Sequence, residues 1–107
     1  MQAIVLQDTG GPQNLTLTGH SDMLIATGNG TNTIALQDSG NDIVGVGTGS
    51  NTVTGGSGRD QISGAGVHDS LVAGSGAHSV LYDSGNFATL VGGSGRGDVL
   101  VAGGGTD

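Results

Sequence analysis

The chain has no cysteine, glutamate, lysine or tryptophan, and only one proline, one tyrosine and one phenylalanine among 107 residues. Without cysteine there is neither a disulfide framework nor a thiolate metal site, which leaves the compartment open. Two arginines against nine aspartates give a formal net charge of −7. Because neutralising phosphates requires lysine and arginine, we expect no nucleic-acid partner. A cation is the more natural partner.

Long apolar runs are also absent. No segment approaches the roughly 20 apolar residues of a membrane span, so none is expected. Residues 1–26 lack the basic and apolar regions of a cleavable secretory signal. Glycine is abundant, at 24 residues, and each glycine inside a regular element costs about 0.5–1 kcal/mol relative to alanine. So much glycine argues against an ordinary globular core. It is compatible with a repetitive fold, in which each glycine occupies a turn that requires it.

A unit of about nine residues repeats along the whole chain. Its clearest copy is residues 55–63, GGSGRDQIS, where small residues and an aspartate precede one large aliphatic residue. The spacing continues through 64–72 and 73–81, and later units carry one extra residue. The copies at 27–35 and 46–54 have asparagine in place of the aspartate. We therefore expect a single repeat domain over residues 1–107, with no linker.

The unit resembles the repeats-in-toxin (RTX) nonapeptide G-G-x-G-x-D-x-U-x, where U is a large aliphatic residue, and residues 55–63 match it in full. The resemblance implies an all-β fold, a right-handed parallel β-roll or β-solenoid with about 18 residues per coil and two short parallel sheets. It also implies calcium ions between stacked turns, held by aspartate carboxylates and main-chain carbonyls. Calcium takes 6–8 oxygen ligands, which agrees with such a site.

If two units make one coil, alternate turns share an edge, and the motif aspartates sort into two sets. The first edge is expected to carry Asp22, Asp42, Asp60, His78 and Asp98. The second edge is expected to carry Asn14, Asn32, Asn51, Asp69, Ala88 and Asp107. The candidate calcium ligands are the six aspartates of these sets, Asp22, Asp42, Asp60, Asp98, Asp69 and Asp107.

The first edge is the better candidate for calcium, above all between Asp22 and Asp42 and between Asp42 and Asp60. The asparagines of the second edge can share amide hydrogen bonds without a metal. One alternative stays open for both edges: aspartate and asparagine side chains can simply accept hydrogen bonds from the N–H groups of their turns.

Side chains along a strand alternate between its two faces. We expect the large aliphatic residue and the residue two positions later to point inward, as in Leu24 with Ala26 and Val80 with Tyr82. The residues expected to point outward on the first sheet are Ile25, Val44, Ser63, Leu81 and Val101. Those on the second sheet are Val5, Thr16, Ala35, Thr54, Val72 and Val91. An apolar outer column favours an interface, although β-propensity alone also places branched residues there.

Two functional classes follow. The first is an extracellular, calcium-binding structural or adhesive module of a bacterial cell surface, which self-associates end to end into fibres or through its apolar outer sheet. Open solenoid ends favour such stacking. The second is an accessory folding or secretion domain of a larger RTX-type enzyme or toxin, as the resemblance suggests. Enzymatic activity is not expected, because His20, His68 and His78 have no nucleophile elbow beside them.

Overall fold

A computed structural model of the protein describes residues 2–6 and 12–103. These residues form strands joined by turns, and no helix occurs among them. The strands are β1 (Gln2–Leu6), β2 (Gln13–Gly19), β3 (Met23–Thr27), β4 (Asn32–Asp38), β5 (Ile43–Gly45), β6 (Thr52–Thr54), β7 (Gln61–Gly64), β8 (Ser70–Val72), β9 (Val80–Asp83), β10 (Thr89–Val91) and β11 (Val99–Ala102).

Successive strands alternate between two parallel sheets. The odd-numbered strands form a six-stranded sheet in the order β1-β3-β5-β7-β9-β11, and the even-numbered strands form a five-stranded sheet in the order β10-β8-β6-β4-β2. Each strand therefore pairs with the strand one coil away along the chain. This confirms the predicted β-solenoid with two short parallel sheets.

The coils are slightly longer than the nonapeptide implies. Register partners are 19 residues apart in most pairs, such as Leu24 with Ile43. They are 18 residues apart only in the middle of the chain, between β5 and β7 and between β6 and β8. The resemblance to the nine-residue unit is strongest in that middle region because only there does the coil hold two units of nine.

The core lies between the two sheets. In the five-stranded sheet, Ile34, Val53 and Leu71 point inward and are at most 1% exposed. Thr16 and Thr54 point outward and are exposed. The prediction for this sheet is thus confirmed at Thr16 and Thr54. Val5, which was also expected to point outward on this sheet, instead belongs to β1 of the six-stranded sheet.

In the six-stranded sheet the prediction was wrong for most strands. Ile25, Val44 and Leu81, expected to point outward, are buried in the core, while Leu24 and Tyr82, expected to point inward, are 44% and 43% exposed. The cause is a one-residue slip, which moves every side chain of a strand to the opposite face. In β7, which follows the fully matching unit, Ile62 is buried and Ser63 exposed, as predicted.

Glycine at the fourth position of the motif is required by close approach between coils. A Cβ on Gly58 would overlap the carbonyl oxygen of Gly40, and a Cβ on Gly76 would overlap that of Gly58. The same relation links Gly30, Gly49, Gly66 and Gly85 on the opposite edge. Each edge of the solenoid is therefore built on a column of glycines.

Within the described part of the chain, no helix is long and apolar enough to cross a membrane.

Leu81 and Leu100 provide a matched test of the inward register, because they are direct partners in β9 and β11. Leu81 is fully buried and Leu100, on the last described strand, is 40% exposed. We expect Leu81→Ala to lower the free energy of unfolding by about 2–5 kcal/mol and Leu100→Ala by about 1 kcal/mol or less. Denaturant titration of both variants measures the difference, and equal losses would contradict the assignment of Leu81 to the core.

Candidate functional site

The first edge consists of the turns that lead into the six-stranded sheet, and it contains a column of polar side chains. Each side chain accepts a hydrogen bond from a main-chain N–H one coil earlier. Met23 N donates to Asp42 Oδ1 at 2.9 Å and Asp42 N to Asp60 Oδ1 at 3.1 Å. Asp60 N donates to Ser79 Oγ at 3.1 Å and Ser79 N to Asp98 Oδ1 at 3.0 Å. The column therefore caps turn N–H groups, whether or not it also binds an ion.

Two predicted members of this column lie elsewhere. Asp22 is exposed and accepts a hydrogen bond from Asn41 N at 2.9 Å, while Met23 takes the place in the column. His78 is also exposed, and Ser79 takes its place. His78 adopts the left-handed conformation, with φ of 62°, and it is the extra residue of a 19-residue coil. A strict nine-residue spacing therefore assigns the column position to His78 instead of Ser79.

The second edge carries an amide ladder. Asn32 Nδ2 donates to Asn51 Oδ1 at 3.1 Å, and Asn51 Nδ2 donates to Asp69 Oδ1 at 3.1 Å. Asp69 Oδ2 accepts from Gly66 N at 3.0 Å. The predicted asparagine stack is confirmed at Asn32 and Asn51, where protein donors and acceptors satisfy one another.

Other predicted members of the second edge differ. Asn14 is exposed and is the register partner of Thr33, so it lies one residue out of the ladder. Ala88 is buried. Asp107 lies outside the described residues.

Two buried aspartates were missed by the sequence analysis. Asp38 is 6% exposed and Asp83 is fully buried. Each begins the tetrapeptide Asp-Ser-Gly-Asn, at residues 38–41 and 83–86, and this repetition was the available signal. Asp38 occupies the position of the second glycine of the motif, and the motif has no ligand at that position.

Asp38 lies beside Gly56 of the next coil. Ser57 N donates to the main-chain oxygen of Asp38 at 3.0 Å, which sets the register. A Cβ placed on Gly56 would lie 2.7 Å from that oxygen, 3.0 Å from Asp38 Oδ1 and 3.0 Å from the carbonyl oxygen of Leu36. Gly56 N itself donates to Asp60 Oδ2 at 2.8 Å. Oxygen atoms therefore crowd around Gly56.

The carboxylate oxygens of this cluster are incompletely satisfied. Both Asp38 oxygens and Asp42 Oδ2 are buried, and no N–H or hydroxyl group donates to any of them. A buried carboxylate is costly unless it is paired, hydrogen-bonded or protonated. The cluster of Asp38, Asp42 and Asp60 therefore favours uptake of either a proton or a cation.

The pKa values of Asp42 and Asp60 are both raised, which agrees with a cluster that favours uptake of a proton or a cation. The pKa of Asp42 is raised to about 7, mainly by burial and then by hydrogen bonding and charge from the neighbouring Asp38 carboxyl, against the opposing effect of the Met23 N–H. Burial likewise raises the pKa of Asp60, while the N–H groups of Gly56 and Asp42 act in the opposite direction. In the folded chain both carboxyls hold a proton more tightly than in water.

A comparable pair occurs on the second edge. The Oδ2 atoms of Asp69 and Asp83 both approach the position that a Cβ on Gly64 would take. Asp83 Oδ1 accepts a hydrogen bond from Gly85 N at 2.7 Å. Both oxygens of Asp69 accept hydrogen bonds from the protein, Oδ1 from Asn51 Nδ2 and Oδ2 from Gly66 N.

The surface next to the first edge is an open groove of about 290 Å³. It is lined by Asp22, Asn41, Asp42, Ile43, Arg59 and Gln61. Arg59 Nε donates to the main-chain oxygen of His78 at 3.2 Å. The groove opens the turns around Asp42 to solvent and small ions.

The histidines do not assemble into a site. His20 Nδ1 is hydrogen-bonded to Ser39 Oγ at 2.5 Å, and His68 stacks on Phe87 with ring centroids 5.1 Å apart. Across residues 2–6 and 12–103, no three histidine or aspartate side chains already converge in the geometry of a metal site. Any ion on the first edge would therefore need main-chain oxygens as well.

No family model matches the chain, and comparisons with curated proteins and with solved structures found no significant similarity. The repeats-in-toxin resemblance thus stays a prediction that rests on the motif alone.

The raised pKa of Asp42 predicts the pH dependence of stability in the absence of divalent ions. Because the folded state holds this proton more tightly, its stabilising contribution is complete below about pH 4 and is lost as the pH rises towards 7. We expect the free energy of unfolding in chelator to fall by about 2–4 kcal/mol over this range, since one pH unit of pKa shift corresponds to roughly 1.4 kcal/mol.

Denaturant titrations at several pH values check this dependence. In Asp42→Asn, whose Oδ1 still accepts from Met23 N, the decline should be clearly smaller, whereas the exposed Asp22→Asn should retain it. An unchanged decline in Asp42→Asn would rule out Asp42 as its source.

Proposed function

We propose that the protein is a calcium-stabilised β-solenoid with a structural or adhesive role outside a bacterial cell, and that calcium binds between adjacent turns of its first edge. The observation that carries the proposal is the pair Asp42 and Asp60. They occupy the same position in adjacent coils, are at most 1% exposed, and Asp42 Oδ2 has no hydrogen-bond donor.

The charge of the chain supports a calcium-dependent fold. A formal net charge of −7 opposes compaction through self-repulsion. A bound divalent ion turns part of that repulsion into ligation, so that its binding energy adds to the stability of the fold. Extracellular calcium modules typically bind with dissociation constants of about 10⁻⁴–10⁻³ M, so such a chain would stay loosely folded at low calcium and become compact outside the cell.

Calcium is proposed for the first edge only, because the motif aspartate of the second edge, Asp69, is already hydrogen-bonded through both carboxylate oxygens. Asp69 Oδ1 accepts from Asn51, and Asp69 Oδ2 accepts from Gly66 N. Asp98 is likewise bonded through both oxygens, to Ser79 N and Gly93 N. The proposed ion therefore lies beside Asp42, whose Oδ2 is buried without a donor. Asp60 of the next coil is its predicted partner, although both Asp60 oxygens also accept main-chain hydrogen bonds, from Asp42 N and Gly56 N.

Sedimentation velocity and circular dichroism in millimolar calcium and in excess chelator test the proposal. We expect a compact particle with strand signal in calcium, and in chelator either a slower, expanded chain or a clearly lower melting temperature. Magnesium at the same ionic strength is the control, because it demands stricter geometry and gives up its water reluctantly. The same particle with the same melting temperature in calcium and chelator would overturn the proposal.

End-to-end self-association is a second candidate function, and the last described coil favours it. Leu100 is the register partner of the buried Leu81, yet it is 40% exposed, and its neighbours Val99 and Val101 are 50% and 41% exposed. The last described coil thus presents one core-type side chain, Leu100, that a further coil would cover. A strand with unpaired main-chain groups at such an end is a template for another strand.

Concentration-dependent sedimentation of two glutamine variants separates end stacking from association through the sheet face. Leu100→Gln changes the last coil, and Leu24→Gln changes the outer face of the six-stranded sheet, where Leu24 is similarly exposed at 44%. If the ends stack, Leu100→Gln should weaken self-association at least several-fold and Leu24→Gln should not. The reverse pattern would assign association to the sheet face, and a wild-type monomer at all concentrations would exclude both.

A further inference from the structure

Asp38 is the feature of this chain that the repeat motif does not explain. The fully matching unit has Gly56 at the corresponding position of the next coil. Asp38 is instead an acidic residue that is only 6% exposed, and neither of its carboxylate oxygens has an N–H or hydroxyl donor. A local turn role would give that carboxylate an N–H donor, as Asp60 has in Gly56 N.

The surroundings of Asp38 consist of hard oxygen donors. Asp42 Oδ2 is buried without a donor, and the proximity of Asp38 acts on the carboxyls of both Asp42 and Asp60. Asp38 Oδ1, Asp38 O and Leu36 O all lie within 3.0 Å of one position beside Gly56. A mixture of carboxylate and carbonyl oxygens, with no nitrogen or sulfur ligand, suits a hard cation and above all calcium.

We propose that Asp38, Asp42 and Asp60, with the carbonyl oxygen of Leu36, form a single calcium site between two turns, and that Asp38 is the ligand that sets its affinity. This inference rests on the proposed function and adds to the calcium site a third carboxylate, Asp38, from outside the motif. The third carboxylate makes the site at Asp38, Asp42 and Asp60 the tightest calcium site of the first edge, and therefore the first to fill.

The neighbouring positions of the column support that ranking. One coil earlier the column residue is Met23, and one coil later it is Ser79, so neither position supplies a carboxylate. At the later coil the position of Asp38 and Gly56 is again a glycine, Gly74, whose carbonyl oxygen accepts from Ser94 N. Because calcium affinity rises with the number of charged ligands, Asp38 and Asp60 beside Gly56, together with the neighbouring Asp42, mark one site rather than a uniform row.

A proton shared between Asp38 and Asp42 would also relieve the buried charge. The two explanations differ in the sign of one measurable effect. If calcium is the partner, removing the Asp38 charge stabilises the chain in chelator, because it relieves repulsion, and destabilises it in calcium, because it removes a ligand. If a proton is the partner, calcium makes no difference to either chain.

The experiment uses the full chain and the isosteric variant Asp38→Asn, with Asp22→Asn as a matched control that removes one exposed carboxylate from the same edge. Calcium titration calorimetry and equilibrium dialysis give affinity and stoichiometry, and melting temperatures are measured in calcium and in chelator. We expect Asp38→Asn to weaken the tightest site by about tenfold or more, since mutation of groups that only hydrogen-bond to a metal's ligands already lowers metal affinity by roughly 10–100-fold. We also expect its melting temperature to rise in chelator and to fall in calcium, while Asp22→Asn follows the wild type.

Each other outcome overturns the inference. If wild type and Asp38→Asn bind calcium with the same affinity and stoichiometry, Asp38 is not a ligand although the proposed function stands. If their melting temperatures differ in the same direction in both media, Asp38 has a structural role only. If wild type binds no calcium, the proposed function fails as well. Asp38→Gly, which restores the residue that the motif has at this position, replaces Asp38→Asn should the asparagine variant not fold.

Discussion

The distance between successive turns is the constraint on which the rest of this protein depends. Coils approach so closely at both edges that a single methyl group on Gly58 or Gly49 would overlap the carbonyl oxygen of the glycine below it. Glycine at these positions is therefore a steric requirement, and its unfavourable conformational entropy is accepted at every turn. The hydrogen-bonded parallel strands set this spacing, at roughly 4.7–4.9 Å between neighbouring strands, and the turns must fit within it.

That close spacing brings each motif side chain within reach of the preceding coil, and the two edges use it differently. On the second edge Asn51 both accepts and donates, so amides satisfy one another along the stack. On the first edge Asp42 and Asp60 are acceptors only, and each added carboxylate increases the burden of buried charge. The Asn51 side chain is thus satisfied by groups of the chain itself, whereas Asp42 Oδ2 on the first edge is buried without a donor.

The sequence was sufficient to predict the architecture and the five-stranded sheet, because a period close to nine, repeated over the whole chain, leaves few alternatives. It was insufficient for the six-stranded sheet. A single extra residue such as His78, placed in a left-handed turn, shifts the side chains of the next strand by one and reverses inside and outside at Leu81. A left-handed histidine cannot be distinguished from a motif residue by counting.

The candidate site was predicted in part for a related reason. Asp42 and Asp60 follow from the motif, whereas Asp38 occupies a position where the motif has glycine and could be found only by comparing the two Asp-Ser-Gly-Asn segments. Its burial depends on the register between coils, and no local pattern encodes that register. Departures from a repeat are thus as informative as the repeat.

The hydrogen bonds that the motif side chains accept run in one direction along both edges. The main-chain N–H at a motif position is satisfied by the motif side chain of the following coil, from Met23 to Asp42 and from Asn32 to Asn51. At these positions each coil consequently depends on its successor for its acceptors, which gives the stack a polarity comparable to that of a filament with unlike ends. A chain of this kind can be lengthened by duplicating whole coils within it, because each new coil brings the acceptors that its predecessor requires.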